Sequence, residues 1–84
     1  MVTRGFSGDD VVRVLGNVGG FEWERTTGSH VILTWYPPED HDTELRTVSV
    51  PRHHRTDTGT LRNIADQAGA EDFDEFCRRI DRHR

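Results

Sequence analysis

The residues best suited to chemistry stand together in Gly28-Ser29-His30, directly before an apolar run that ends at Tyr36. A histidine side chain changes charge between about pH 5 and pH 8, so it can move protons at neutral pH. Gly28 permits a tight turn or a close backbone approach to a ligand. A histidine beside such a turn is therefore a candidate general base or acid. From this stretch alone, the simpler interpretation is a solvent-exposed surface histidine.

The run behind His30 predicts the strand that would hold it. It is rich in β-branched and aromatic residues, which favour strands. Side chains alternate between the two faces of a strand, so Val31, Leu33 and Trp35 form one apolar set that faces the core. His30 then lies on the opposite face, at the start of a rigid element.

Charge is distributed unevenly along the chain. The formal net charge is −4, yet the segment from residue 45 to 62 carries a charge of +3, because four arginines oppose one aspartate: Arg46, Arg52, Arg55, Arg62 and Asp57. An acidic protein repels nucleic acid unless its arginines are clustered. This segment is therefore the expected place for an anionic ligand. The alternative is a solvated charged loop, which suffices to explain Arg55 alone.

The composition limits the class of protein. A chain of 84 residues predicts one domain. It has no apolar run of membrane-spanning length and no signal-peptide pattern, and its single cysteine, Cys77, fits a reducing compartment, so we expect a cytoplasmic protein. The spacing of the histidines does not predict a metal site, and no cofactor is expected. All eleven basic residues are arginine, and this acidic, lysine-free composition suggests a host with high intracellular salt or a GC-rich genome.

Periodicity predicts a helix, three antiparallel strands, a helix and a short terminal helix, which make a two-layer α+β domain with one open sheet face. The predicted ranges are 7–18, 21–26, 31–36, 45–50, 59–68 and a last helix around 73–80. Ser7 with Asp10 is the expected cap of the first helix, and Thr58 or Thr60 that of the second. The first strand is predicted to be half-buried. The predicted core comprises Val11, Leu15, Val31, Leu33, Trp35, Leu61 and Ile64.

Two segments together resemble the HicA toxin family of HicA–HicB toxin–antitoxin pairs. The first contains Gly20-Phe21, then Arg25, then Gly28-Ser29-His30. The second contains Val50-Pro51-Arg52-His53, then Gly59-Thr60-Leu61-Arg62-Asn63-Ile64, then Gln67-Ala68-Gly69. The resemblance runs from about Ser7 to Phe76. The chain departs from typical members in lacking lysine, in its net acidity and in its acidic loop at 39–44.

The resemblance implies a double-stranded-RNA-binding-domain-like (dsRBD-like) α-β-β-β-α fold over a single HicA-like domain, residues 1–84. It implies an mRNA-cleaving endoribonuclease that arrests translation, and a HicB antitoxin that covers its active site. His30 matches the family's active-site histidine, and His53 matches a second histidine in position. The candidate RNA contacts are Gly28, Ser29, Arg52, His53, Gly59, Thr60 and Arg62.

The implied chemistry agrees with these residue types. RNA supplies its own nucleophile, the 2′-OH beside each phosphodiester, so cleavage needs a base, a proton donor for the leaving 5′-oxygen and positive charge near the phosphate. His30 is the expected base or acid, arginines supply charge, and the helix starting near Gly59 offers backbone donors. The sequence does not identify the second proton-transfer group. The rival interpretations are a non-catalytic RNA-binding module and a purely protein-binding partner that uses its open sheet edge.

Overall fold

The chain forms one three-stranded sheet and three helices in the predicted order. The structure, a computed structural model, describes residues 5–39, 44–52 and 56–83. Helix α1 spans Gly8–Asn17, strand β1 Glu22–Thr27, β2 His30–Trp35, β3 Arg46–Pro51, helix α2 Thr58–Gln67 and α3 Phe73–His83. The strands are antiparallel in the order β1-β2-β3. This architecture confirms the predicted dsRBD-like α+β fold.

The core lies between one face of the sheet and the helices. Alternate residues of β2 and β3 form its sheet side and are almost completely buried: Val31, Leu33, Val48 and Val50. The helices contribute Val11, Val14, Leu15, Leu61, Ile64, Cys77 and Ile80. The predicted core is confirmed, with Trp35 partly buried and packed against it. The other face of the sheet is the one that carries His30.

Helix α1 begins with a reciprocal cap. The Ser7 hydroxyl accepts a hydrogen bond from the Asp10 amide at 3.0 Å, and the Asp10 carboxylate accepts one from the Ser7 amide at 3.2 Å. Phe6, for which the sequence predicted no role, is completely buried in the core. Phe6 directly precedes the cap residue Ser7, and Val11 follows Ser7 by four residues, which matches the hydrophobic staple. This spacing is the sequence signal that could have predicted the burial of Phe6.

The start of α1 packs against the end of β3 without space for a side chain. A β-carbon built on Gly8 would overlap the carbonyl oxygen of Pro51 and lie 2.9 Å from Cα of Arg52. Gly8 is itself buried. This close backbone approach fixes the end of β3, and Pro51 is the residue that pairs with His30.

The prediction of a half-buried first strand is wrong, because all six residues of β1 are exposed. β1 is an edge strand, and its register shifts between Trp23 and Arg25. Trp23 pairs with Leu33 on the helix-covered face, yet 54% of it remains exposed. Phe21, just before the strand, is the buried aromatic of this segment.

Candidate active site on the open face of the sheet

His30 begins the central strand directly after a two-residue hairpin turn. Gly28 occupies the first position of that turn with φ +58°, a conformation that favours glycine, and the space above it is open. His30 pairs with Thr27 on one side and Pro51 on the other. The Ser29 carbonyl accepts a hydrogen bond from the Arg52 amide at 2.8 Å. The turn is thereby held to both neighbouring strands, and the exposed His30 side chain projects from a fixed backbone.

The open face around His30 is set by the strand register. Thr27 and Pro51 lie opposite it, Ile32 follows it on the same face, and Arg25 and Ser49 lie opposite Ile32. Arg25 and Ser49 are therefore diagonal neighbours of His30. Diagonal neighbours on one face are about 7–8 Å apart, within reach of a long side chain. An exposed imidazole can accept or donate a proton, and a guanidinium on the same face can bind a phosphodiester.

The Arg52 side chain turns away from His30. Its Nε donates to Oδ1 of Asp9 in α1 at 2.9 Å, and its guanidinium carbon lies 5.7 Å from the centre of the Trp23 ring. Arg52 has the same strand parity as Val48 and Val50, so its side chain lies on the helix-covered side. The structure brings the Arg52 backbone to Ser29 and its guanidinium to α1.

The candidate contacts in α2 have local partners. The N-cap of α2 is Asp57 and not Thr58 or Thr60 as predicted, because its Oδ1 accepts from the Thr60 amide at 2.7 Å. This carboxylate adds negative charge beside Gly59 and Thr60, which opposes binding of a phosphate there. The Arg62 guanidinium lies 4.3 Å from the centre of the Phe73 ring and connects α2 to α3.

The positive segment of the sequence does not form one positive surface among the residues described. Arg46 lies against Gly69 at the end of α2, so closely that a β-carbon there would overlap its guanidinium. Arg52 contacts α1 and Arg62 contacts α3, as given above. The three side chains therefore lie against three different helices. His53 and Arg55 fall outside the described residues, as do residues 40–43 of the predicted acidic loop.

A groove of about 390 Å³ lies between α1 and β1 on the helix-covered side. Its lining includes Asp9, Val12, Arg13, Trp23 and Leu33. The Trp23 indole N–H donates to the Thr26 hydroxyl at 3.1 Å. His30 does not line this groove, which belongs to the other face of the sheet.

Arg25 lies near His30 but is not among the site residues predicted from the sequence. The register shift at Glu24 places Arg25 opposite Ile32, on the open face, and 62% of its side chain is exposed. A regular strand would have placed it on the same apolar face as Trp23. A charged residue at an apolar position was the signal of a bulge, because unpaired charges are rarely buried.

Neither a metal cluster nor a membrane-spanning helix is found in the described part of the chain. Within residues 5–39, 44–52 and 56–83, no three histidine, cysteine or acidic side chains are grouped to hold a metal ion. No helix in these ranges is long and apolar enough to span a bilayer.

Comparison with known proteins identifies one family. A family model described as "HicA toxin of bacterial toxin-antitoxin" matches residues 8–70, which is most of the chain and contains α1, the sheet and α2. No curated protein and no solved structure matches the chain.

Proposed function

Because the chain belongs to the HicA toxin family of bacterial toxin–antitoxin systems, we propose that it is an endoribonuclease that cleaves mRNA without a metal ion and so arrests translation. The observation that carries this proposal is the position of His30. Its side chain is exposed at the start of the central strand, beside a glycine turn with open space above it, inside the segment that matches the family.

In the proposed reaction, the RNA supplies the nucleophile. His30 takes the proton of a 2′-OH, and the oxygen attacks the adjacent phosphorus while the bond to the 5′-oxygen breaks. The products are a 2′,3′-cyclic phosphate and a free 5′-OH, and the leaving oxygen receives a proton from a second group or from water. General base catalysis of this kind contributes about 10²–10⁴-fold.

The rigid surroundings of His30 support this role. The turn at Gly28 and Ser29 allows a sugar–phosphate backbone to approach the sheet without meeting a side chain. The hydrogen bond from Arg52 to Ser29 and the pairing with Pro51 hold the imidazole's backbone in place. Effective proton transfer requires such positioning, because it avoids the cost of ordering the group during the reaction.

The proposal includes a partner and a location. A HicB-type antitoxin would neutralise the toxin by covering His30 and the adjoining open face, which excludes mRNA from the site. Both the substrate and such an antitoxin are cytoplasmic, so we propose that the protein acts in the cytoplasm.

Cleavage of purified RNA in the presence of EDTA tests this function. We expect purified protein to cut the RNA with chelator present, and a HicB-type antitoxin to stop it. Retarded migration of RNA in a gel without any cutting would instead favour a non-catalytic RNA-binding module. The absence of both RNA binding and RNA cleavage would favour a purely protein-binding role.

The affinity for RNA should depend only weakly on salt. Arg46, Arg52 and Arg62 lie against three different helices, which leaves few of the described arginines on the open face to bind phosphates. Each neutralised phosphate adds about 0.7 to the slope of log K against log salt for single strands. Near molar salt the Debye length is only about 3 Å, so binding there depends on short contacts. Titration of a His30→Ala variant, which does not consume the RNA, measures the slope, and a slope typical of ~6–10 phosphate contacts would contradict this prediction.

A further inference from the structure

The bulge in β1 determines which residue shares a face with His30. Trp23 pairs with Leu33 and Arg25 pairs with Ile32, so Glu24 is the extra residue between them. In a regular strand, Glu24 would lie opposite Ile32 and Arg25 would face the helices. The bulge therefore adds the Arg25 guanidinium to the open face, beside the Glu24 carboxylate. Bulges are frequent beside active sites, where they redirect a side chain.

Hydrogen bonds on the open face hold the side chains of Glu24 and Arg25. The Thr34 hydroxyl donates to Oε2 of Glu24, and Thr34 is only 2% exposed. Arg25 Nη1 donates to the other oxygen of the same carboxylate at 3.4 Å. Thr34 has the same strand parity as His30, so this chain of contacts keeps the Arg25 guanidinium on the side of the sheet where His30 lies.

The remaining described arginines near the sheet are directed elsewhere. Arg46 lies against the end of α2, and Arg52 is paired with Asp9 of α1. Arg25 is more than half exposed, and its contact with Glu24 is long and solvent-accessible. Exposed ion pairs of this kind are weak, so a phosphate can displace the carboxylate at little cost.

We propose that Arg25 binds the RNA phosphate that is attacked by the 2′-OH activated by His30, and that the bulge at Glu24 places Arg25 there. This inference depends on the proposed ribonuclease function. On binding, the guanidinium exchanges Glu24 for phosphate oxygens. In the transition state, its charge stabilises the additional negative charge on those oxygens. Glu24 is then a competitor of the substrate for Arg25, held in place by Thr34.

Three variants test the proposal in the full chain. Arg25→Gln should lower kcat/KM for RNA cleavage about 10- to 100-fold, as expected for loss of a charged hydrogen bond, and Arg25→Lys should recover part of it. Glu24→Gln keeps an acceptor for Thr34 but removes the competing charge, so kcat/KM should rise about two- to fivefold.

Arg78→Gln is the matched control, because Arg78 is similarly exposed and paired, but lies on α3. It should stay within about twofold of the native rate, the limit of a weak exposed ion pair.

A binding measurement separates a phosphate contact from a structural role. In the His30→Ala background, Arg25→Gln should reduce the slope of log K against log salt by about 0.7, one phosphate on a single strand, and Arg78→Gln should not. Native cleavage by Arg25→Gln with an unchanged salt slope, or slower cleavage by Glu24→Gln, would overturn the inference while leaving the ribonuclease function intact. Absence of cleavage by the native protein would instead refute the function itself.

Discussion

Replacing His30 with alanine should abolish RNA cleavage and toxicity while the protein remains folded and still binds its antitoxin. The loss should be at least the ~10²–10⁴-fold that a positioned general base contributes. The fold should persist because His30 is exposed on the open face, where substitutions usually change stability by only about 0.5 kcal/mol. Cleavage rates, thermal unfolding and antitoxin binding, each compared with the native protein, measure these three expectations.

The matched control for this variant is His53→Ala. His53 occupies the second histidine position of the family pattern, so its loss should weaken cleavage without eliminating it. Native-like cutting by His30→Ala, or an unfolded variant, would show that His30 is not the proton-transfer group. Loss of cutting with His53→Ala alone would move the active site to the segment from Arg52 to Arg55.

The second large effect should come from Gly8→Ala, which should destabilise the fold and impair the site together. The added β-carbon would overlap the Pro51 carbonyl oxygen, so either α1 or the end of β3 must move. Overpacking of this kind costs about 1–3 kcal/mol. Each kcal/mol lowers Tm by about 4–8 °C in a domain of this size. Because Pro51 pairs with His30, the cleavage rate should also fall.

Gly16→Ala is the control for Gly8→Ala, because both glycines lie in α1. A β-carbon on Gly16 would meet only the Phe21 carbonyl oxygen, at an ordinary 3.8 Å. Alanine is favoured over glycine within helices by up to about 1 kcal/mol, so this variant should be as stable as the native protein or more so. Equal Tm values for the two variants, measured by circular dichroism, would contradict the close approach at Gly8.

Strand periodicity was sufficient to predict the face of His30 but not the face of Arg25. β2 is central and regular, so the parity of Val31 and Leu33 fixes every residue of that strand. β1 is an edge strand with only one neighbour, and the bulge at Glu24 reverses its parity after Trp23. A charged residue at an apolar position signals a bulge but does not locate the extra residue, so the exposure of the whole strand and the direction of Arg25 required the structure.

The candidate phosphate contacts illustrate a different limit. A cluster of arginines in sequence predicts local positive charge, but each side chain extends to whichever helix lies nearest. Arg52 follows the buried Val50 by two residues, and its parity already placed it on the helix side. Asp57, Thr58 and Thr60 are all residue types that cap helices. Which of them caps α2 depends on the residue at which the helix begins.

In the proposed reaction, the protein cuts RNA by activating the substrate's own 2′-OH through His30. The most direct test compares an RNA oligonucleotide with the same oligonucleotide carrying a single 2′-deoxy sugar at the cut site, with native protein in EDTA. Activation of the substrate's 2′-OH predicts rapid cleavage of the first with a 2′,3′-cyclic phosphate end, and no cleavage of the second at that position. Equal cleavage of both would contradict it, because the nucleophile would then come from water or from the protein.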